Sequence, residues 1–266
     1  MINFPLYRRE MKGSIRILLI FAAVITLYVS VIITMYDPKM MKTLDEFVEV
    51  MPELMSAVGM HAGATSLLGF MISYLYGFIL IIFPMVFCIL RGNGLIAKYV
   101  DRGNMVSLVA APIKRQTIAG TQASVLVSGI LLLLGYATVL EVAVAQWSFP
   151  GELVLSELLK LNMGLFCLQF FIAGICFWAS CMFSDTKYSI GLGAGIPALM
   201  YILQMLANVG GDAETAKYFT FFTLFQPENL VAGKTTAWMG VAALFAGGIV
   251  LFTIGIVIFC KKDLYI

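Results

Sequence analysis

The sequence predicts an all-α protein that crosses a bilayer about six times, and three observations predict it. Charged residues fill only 12% of the 266 positions, whereas apolar ones fill 61%. Mean hydropathy is +0.96. Apolar runs long enough to span recur six times between short polar segments. A soluble domain usually carries about 25% charged residues. So few charges cannot coat a surface in water, so the solvent for most of this chain is lipid. A spanning helix needs about 20 residues, and six with modest loops occupy positions 1–266 as a single transmembrane domain. Inside hydrocarbon an apolar segment of this length satisfies its own backbone only as a helix.

The chain opens on MINFPLYRREMKGSIR, in which Phe4, Leu6, Tyr7 and Met11 are interleaved with basic residues. That pattern predicts an amphipathic helix over 2–12. The apolar run that follows, 15–36, is longer than the ~7–15 residues of a secretory core and no small-x-small site follows it, so it reads as a retained span. Spans are predicted at 14–36, 66–90, 117–140, 161–183, 188–208 and 237–260. The second has no charged residue in its 25 positions and inserts unaided.

Three extramembrane stretches also carry structure. In 37–65, Leu44, Phe47, Val48, Met51, Leu54, Met55 and Val58 recur at helical spacing while Asp45, Glu46, Glu49 and Glu53 take other positions, predicting an amphipathic outer helix. A second short one is predicted over 152–160. The stretch YFTFFTLFQPENL at 218–230 is apolar but too short to cross, which predicts a re-entrant or interfacial segment packed against protein.

Orientation follows from lysine and arginine. With the N-terminus inside, 12 of the 17 basic residues fall in inside segments: Arg8, Arg9, Lys12, Arg16, Arg91, Lys98, Arg102, Lys114, Arg115, Lys187, Lys261 and Lys262. Of the 15 acidic residues, 11 fall outside. The bias predicts a multi-pass protein of the cell membrane with both termini cytoplasmic. Trp147 and Trp238 then lie at the outer interface as aromatic anchors. The net charge of +2 gives no sign of nucleic acid as a partner.

The inside segment 91–116 is the most informative. Leu95, Ile96, Tyr99 and Val100 recur at helical spacing, with Lys98, Asp101 and Arg102 on other faces. Gly103-Asn104 breaks that helix, and Pro112 precedes the pair Lys114-Arg115. A helix of this kind either docks on a soluble partner or lies on lipid headgroups. Glu141 stands alone as a charged side chain near a span interior, a default candidate for a pathway or gating role; its position near the outer end favours instead a carboxylate that reaches water at the interface. Gly191 and Gly195, followed by Pro197, mark the fifth span for close helix approach and a kink. The lone His61 and five scattered cysteines lack metal-ligand spacing, so no metal or cofactor is expected on this chain. The AGKTT at 232–236 is no phosphate loop, because the glycine required five positions before Gly233 is Glu228. No enzymatic activity is expected of the chain itself.

The stretch DRGNMVSLVAAPIKR, through Asp101, Gly103, Leu108, Pro112 and Arg115, is similar to the cytoplasmic loop of the type-2 ABC export permeases. FQPENL resembles that family's proline-containing segment before the last span, FCKKDL its basic close, and the amphipathic start its elbow helix. Gln122, Asp101 and Lys262 stand where the family more often has lysine, glutamate and arginine. The resemblance implies an elbow over 2–12 and a coupling helix carrying Leu95, Ile96, Tyr99, Val100, Arg102, Pro112 and Arg115. It also implies a cytosolic ATP-binding cassette partner that holds ATP and Mg, and a second permease copy or homologue. The spans hold almost no charge, so hydrophobic or amphipathic cargo such as antimicrobial or cytolytic peptides is expected. A secondary transporter driven by an ion gradient is the alternative; it calls for midplane ionisable groups and broken helices, for which the sequence offers Glu141 and Pro197.

Overall fold

A computed structural model describes residues 2–36, 50–57, 66–105, 108 and 113–262 of the chain. Most of the expected outer helix of 37–65, His61, Pro112 and the last four residues lie outside the described residues. Among the described residues all regular structure is helical, with no strand. Six helices are long and apolar enough to cross a membrane, which makes the chain a multi-pass membrane protein.

The first, α1 (Phe4–Thr34), is one continuous helix. Asn3 caps it by accepting from the Leu6 N–H at 3.0 Å. At about 1.5 Å per residue its 31 residues extend about 46 Å, well beyond the hydrocarbon thickness. The elbow expected over 2–12 is therefore not a separate helix. Gly13, the one residue that invites a break, meets nothing within 4 Å, and Ser14 donates to the Glu10 carbonyl at 2.9 Å across the place where an elbow would bend.

A short helix, α2 (Pro52–Ala57), lies between the first and second crossings. The second crossing is broken. It runs as α3 (Leu67–Met71), a π-helical stretch (Ile72–Ile79), α4 (Leu80–Leu95) and α5 (Ala97–Asp101). The buried Pro84 lies inside α4 and has no N–H to give the Leu80 carbonyl. Gln169 of a later span answers, donating through Nε2 to Ile81 O at 2.8 Å and Leu80 O at 3.4 Å.

The remaining crossings are α6 (Arg115–Ser148), α7 (Leu155–Met182), α8 (Thr186–Val209) and α10 (Thr235–Lys261). The second short outer helix expected over 152–160 is instead the loop at Gly151 followed by the first turns of α7. Two 3-10 stretches (Gly211–Phe219 and Phe221–Leu224) and α9 (Pro227–Val231) precede α10. None of the three is long enough to cross, as the sequence predicts. The part from Phe221 to Val231 lies against protein, with Phe222, Phe225 and Leu230 buried, whereas Tyr218 and Phe219 are exposed. The approach depends on absent side chains: a Cβ at Gly240 would stand 2.5 Å from the Leu224 carbonyl oxygen.

The axis of the bundle is α7, which packs on α4, α6, α8 and α10. Its most apolar window is 72% buried, against 22% for α1 and α8. It meets α10 through glycine as well, since a Cβ at Gly248 would stand 2.5 Å from the Phe170 ring. Helices α1 and α6 run parallel, joined by Asn3 N–H to Thr121 Oγ1 (3.0 Å), Tyr7 O–H to Ser128 Oγ (2.8 Å) and Thr26 with Tyr136 (2.6 Å).

The ends of the bundle are chemically distinct. At one end, Arg115 Nη1 donates to Lys262 O at 2.8 Å, Lys262 Nζ to Met182 O at 2.9 Å, and Thr186 Oγ1 to Asp101 Oδ2 at 2.8 Å. The start of α1, the α5 segment, the α7–α8 turn and the end of α10 therefore share this basic end. Burial against the carbonyls that close α7 pushes the Lys262 ammonium below its ordinary value, opposed by the Cys181 thiol. At the opposite end, Tyr36 packs on Phe149 at 5.2 Å and Asn208 Nδ2 donates to Ala57 O at 3.4 Å.

Candidate functional site

A cavity of about 250 Å³ opens at the end opposite the basic one, between the π-helical stretch, α8 and the 3-10/α9 segment. Ile72, Ile81, Met205, Phe222 and Phe225 give it apolar walls, and Tyr76, Tyr201, Gln204, Asn208, Gln226 and Asn229 supply polar groups. The polar groups are held by one another. Gln204 Nε2 donates to Asn208 Oδ1 (2.8 Å), Thr223 Oγ1 to Gln204 Oε1 (3.0 Å) and Asn229 Nδ2 to Gln226 Oε1 (2.7 Å). Tyr201 O–H reaches the Gly77 carbonyl inside the π-helical stretch at 3.3 Å. A π-helical turn leaves backbone groups out of the regular ladder and is frequent at functional sites; here it forms a cavity wall.

Behind that wall lies Glu141. Tyr76 O–H donates to its Oε2 at 2.9 Å, and Asn162 Nδ2 donates to the same oxygen at 3.0 Å. Glu141 is 0% exposed, and its Oε1 has no hydrogen-bond partner among the described residues. No cation pairs with it among the described residues. Glu141 therefore does not reach the water interface. The third span continues to Ser148, about two turns past it, so its side chain is enclosed by the π-helical stretch and α7. A carboxylate buried this way is costly unless hydrogen bonds meet it. Tyr76 links it to the cavity.

The basic end has its own buried carboxylate. Glu10 is 5% exposed, with Oε2 at 3.6 Å from Arg91 Nη2, and Tyr99 O–H donates to its Oε1 at 2.5 Å. Arg91 Nη2 also donates to the Glu10 carbonyl at 3.3 Å. This cluster fastens α1 to α4 and α5.

The residues expected to couple to a partner are distributed in a way that corrects the expectation. Leu95 and Ile96 are 0% and 1% exposed, packed into the chain's own core. Tyr99 and Val100 are half-buried against it. The Ala97 N–H donates to Ser180 Oγ of α7 at 2.9 Å, which holds the segment down. Ile96, at φ −128° and ψ −63°, breaks the helix expected over this segment, so α5 has only five residues. What remains outward is polar: Lys98, Asp101, Arg102 and Asn104. Arg115 is half-buried and held by Lys262 O.

In the fifth span, Gly191 and Gly195 are exposed, and among the described residues a Cβ at either would meet nothing within 4 Å, so neither makes a close helix approach there. Gly193 makes that approach, a Cβ there lying 3.4 Å from Cys176 Cα. Pro197 is buried and α8 continues past it to Val209.

Sequence reasoning missed three features: the π-helical stretch, the Glu10–Arg91–Tyr99 cluster and the partners of Glu141. One signal for the last was present. Asn162 and Gln169, seven apart in an apolar span, share one helix face, and both meet the second crossing or its neighbour. Nothing in the pattern singled out Tyr76. No protein-family model matches the sequence, and no curated protein matches it.

Proposed function

We propose that the chain is the transmembrane permease of an ATP-binding cassette exporter in the cell membrane, with its basic end in the cytoplasm. One cytosolic ATPase subunit, carrying ATP and Mg, pairs with each permease, and a second permease copy or homologue completes the transporter. The observation that carries this reading is the convergence of both ends of the described chain and of residues 91–105 and 113–116 on the basic end, with Lys98, Asp101, Arg102 and Asn104 turned outward. Positive-inside bias makes that end cytoplasmic, and the resemblance in 101–115 supplies the class of partner.

The geometry also offers a route for coupling. Helix α5 continues α4 and the π-helical stretch, whose far part lines the cavity. Asp101 holds α8 through Thr186, and α8 lines the same cavity through Tyr201, Gln204 and Asn208. The broken second crossing and α8 thus both join the α5 region to one cavity. The mixed lining, with Glu228 its one charged residue among those described, suits hydrophobic or amphipathic cargo such as peptides. The exposed Gly191 and Gly195 face of α8 offers a second copy close approach.

Isolation of the chain from its native membranes in mild detergent tests the reading. An ATP-binding cassette subunit is expected to co-isolate, and Asp101→Arg is expected to remove it while leaving the permease inserted. Absence of any such subunit, with Lys98→Cys labelled from outside intact cells in a cysteine-free background, contradicts the proposal. One observation favours the alternative of an ion-gradient-driven secondary transporter: the buried Glu141 beside a broken helix. That reading requires Glu141→Gln to abolish gradient-driven uptake or efflux with no dependence on ATP.

A further inference from the structure

At the basic end a second cavity, of about 340 Å³, lies between the first turns of α1 and the α4–α5 segment. Four cationic side chains line it: Arg9, Arg91, Lys98 and Arg102. Among the described residues the one carboxylate in its wall, Glu10, is already engaged by Arg91 and Tyr99. Among the described residues no acidic side chain pairs with Arg9, Lys98 or Arg102. Asp101, the nearest alternative in sequence, accepts from Thr186. Arg91 stands at the back, 9% exposed, with its Nε lacking a hydrogen-bond partner among the described residues. Gly13 and Gly94 keep the walls open where side chains would fill the space.

Uncompensated cations around a cavity call for an anion with several acceptor oxygens, and guanidinium groups match phosphate in particular. We propose that this cavity is a phosphate-binding site, supplied in the membrane by an anionic lipid headgroup. The surroundings suit a lipid. By helical spacing, α1 continues from Gly13 to Ile17 and to Ile20, which is 63% exposed, and Leu90 on α4 is 52% exposed, so apolar surface leads away from the cavity toward the hydrocarbon. The site would clamp α1 to the α5 segment beside the Glu10–Arg91 pair. It does not depend on the permease reading.

The test uses the full purified chain in neutral detergent and follows its thermal unfolding midpoint during titration with phosphatidylglycerol, phosphatidylcholine or inorganic phosphate, the last against chloride at equal ionic strength. Saturable stabilisation by phosphatidylglycerol is expected, with apparent affinity weakened at least ~10-fold in Arg9→Gln/Arg102→Gln, the loss of about one charge-assisted contact's worth of binding. The pair Arg8→Gln/Lys114→Gln removes equal charge outside the cavity and is expected to bind as the parent does. Stabilisation by phosphatidylglycerol alone assigns the site to a lipid headgroup; stabilisation by inorganic phosphate as well, or instead, assigns it to soluble phosphate groups. Equal stabilisation by phosphatidylcholine, equal weakening in the control pair, or no saturable effect of either phosphate source overturns the proposal.

Discussion

Two glutamates are buried at opposite ends of this bundle, and different chemistry meets them. Glu10, at the basic end, faces the Arg91 guanidinium and the Tyr99 hydroxyl. Glu141, behind the cavity at the other end, has among the described residues only the neutral Tyr76 and Asn162, and one of its oxygens lacks a partner there. Breaking a buried ion pair from one side costs about 3–5 kcal/mol, whereas stranding a buried neutral hydrogen-bonding group costs about 1–3 kcal/mol. The basic end is thus fastened, and the cavity end is held by bonds that exchange partners at smaller cost.

The largest expected effect comes from adding a third carboxylate with no prepared partner. Ile96→Asp places a charge in the core beside Leu95, and more than about 4 kcal/mol of destabilisation is expected. Folded, detergent-extracted protein should be lost on size-exclusion chromatography. A monodisperse Ile96→Asp protein would mean that Ile96 faces outward, as a partner-docking residue would.

Next in size is Glu10→Leu, which strands Arg91 and should cost about 3 kcal/mol in denaturant titration. Adding Arg91→Leu should recover most of that loss, because the cost lies in the unpaired charge; the two losses adding independently would show that no pairing links them. Glu141→Leu should cost about 2 kcal/mol by leaving the Tyr76 hydroxyl and the Asn162 amide without their acceptor. The smallest effect is expected of Glu141→Gln, below about 1 kcal/mol, since its amide oxygen still accepts from both. A Glu141→Gln loss as large as that of Glu10→Leu would erase the distinction between the two ends.

The parts of the fold set by lipid solubility were legible in the sequence. Six spans lie where hydropathy puts them, and the irregular segment before the last span is too short to cross, as its length requires. The first span was misread at its start because amphipathic periodicity from Phe4 to Met11 is the same for a helix on the membrane surface as for one that continues into it. The periodicity of Leu95, Ile96, Tyr99 and Val100 was read as a face for a soluble partner or for lipid headgroups. Periodicity does not say what covers it, and here it is the chain itself. Glu141 was placed near water by counting residues to the expected end of the third span, and the helix ran on to Ser148. Gly191 and Gly195 match a packing pattern, yet Gly193, one face away, makes the contact. Spacing identifies which residues share a face and leaves open which neighbour they meet.

The most direct test of the permease account measures ATP turnover in complexes isolated from native membranes and returned to lipid nanodiscs. Parent, Asp101→Arg and Glu141→Gln chains should be compared side by side. The account predicts ATP hydrolysis by a co-isolated subunit with the parent, retention of that subunit and its hydrolysis with Glu141→Gln, and loss of both with Asp101→Arg. Isolates of the parent chain that carry no ATP-hydrolysing subunit, with Glu141→Gln alone abolishing a gradient-driven flux, would contradict it.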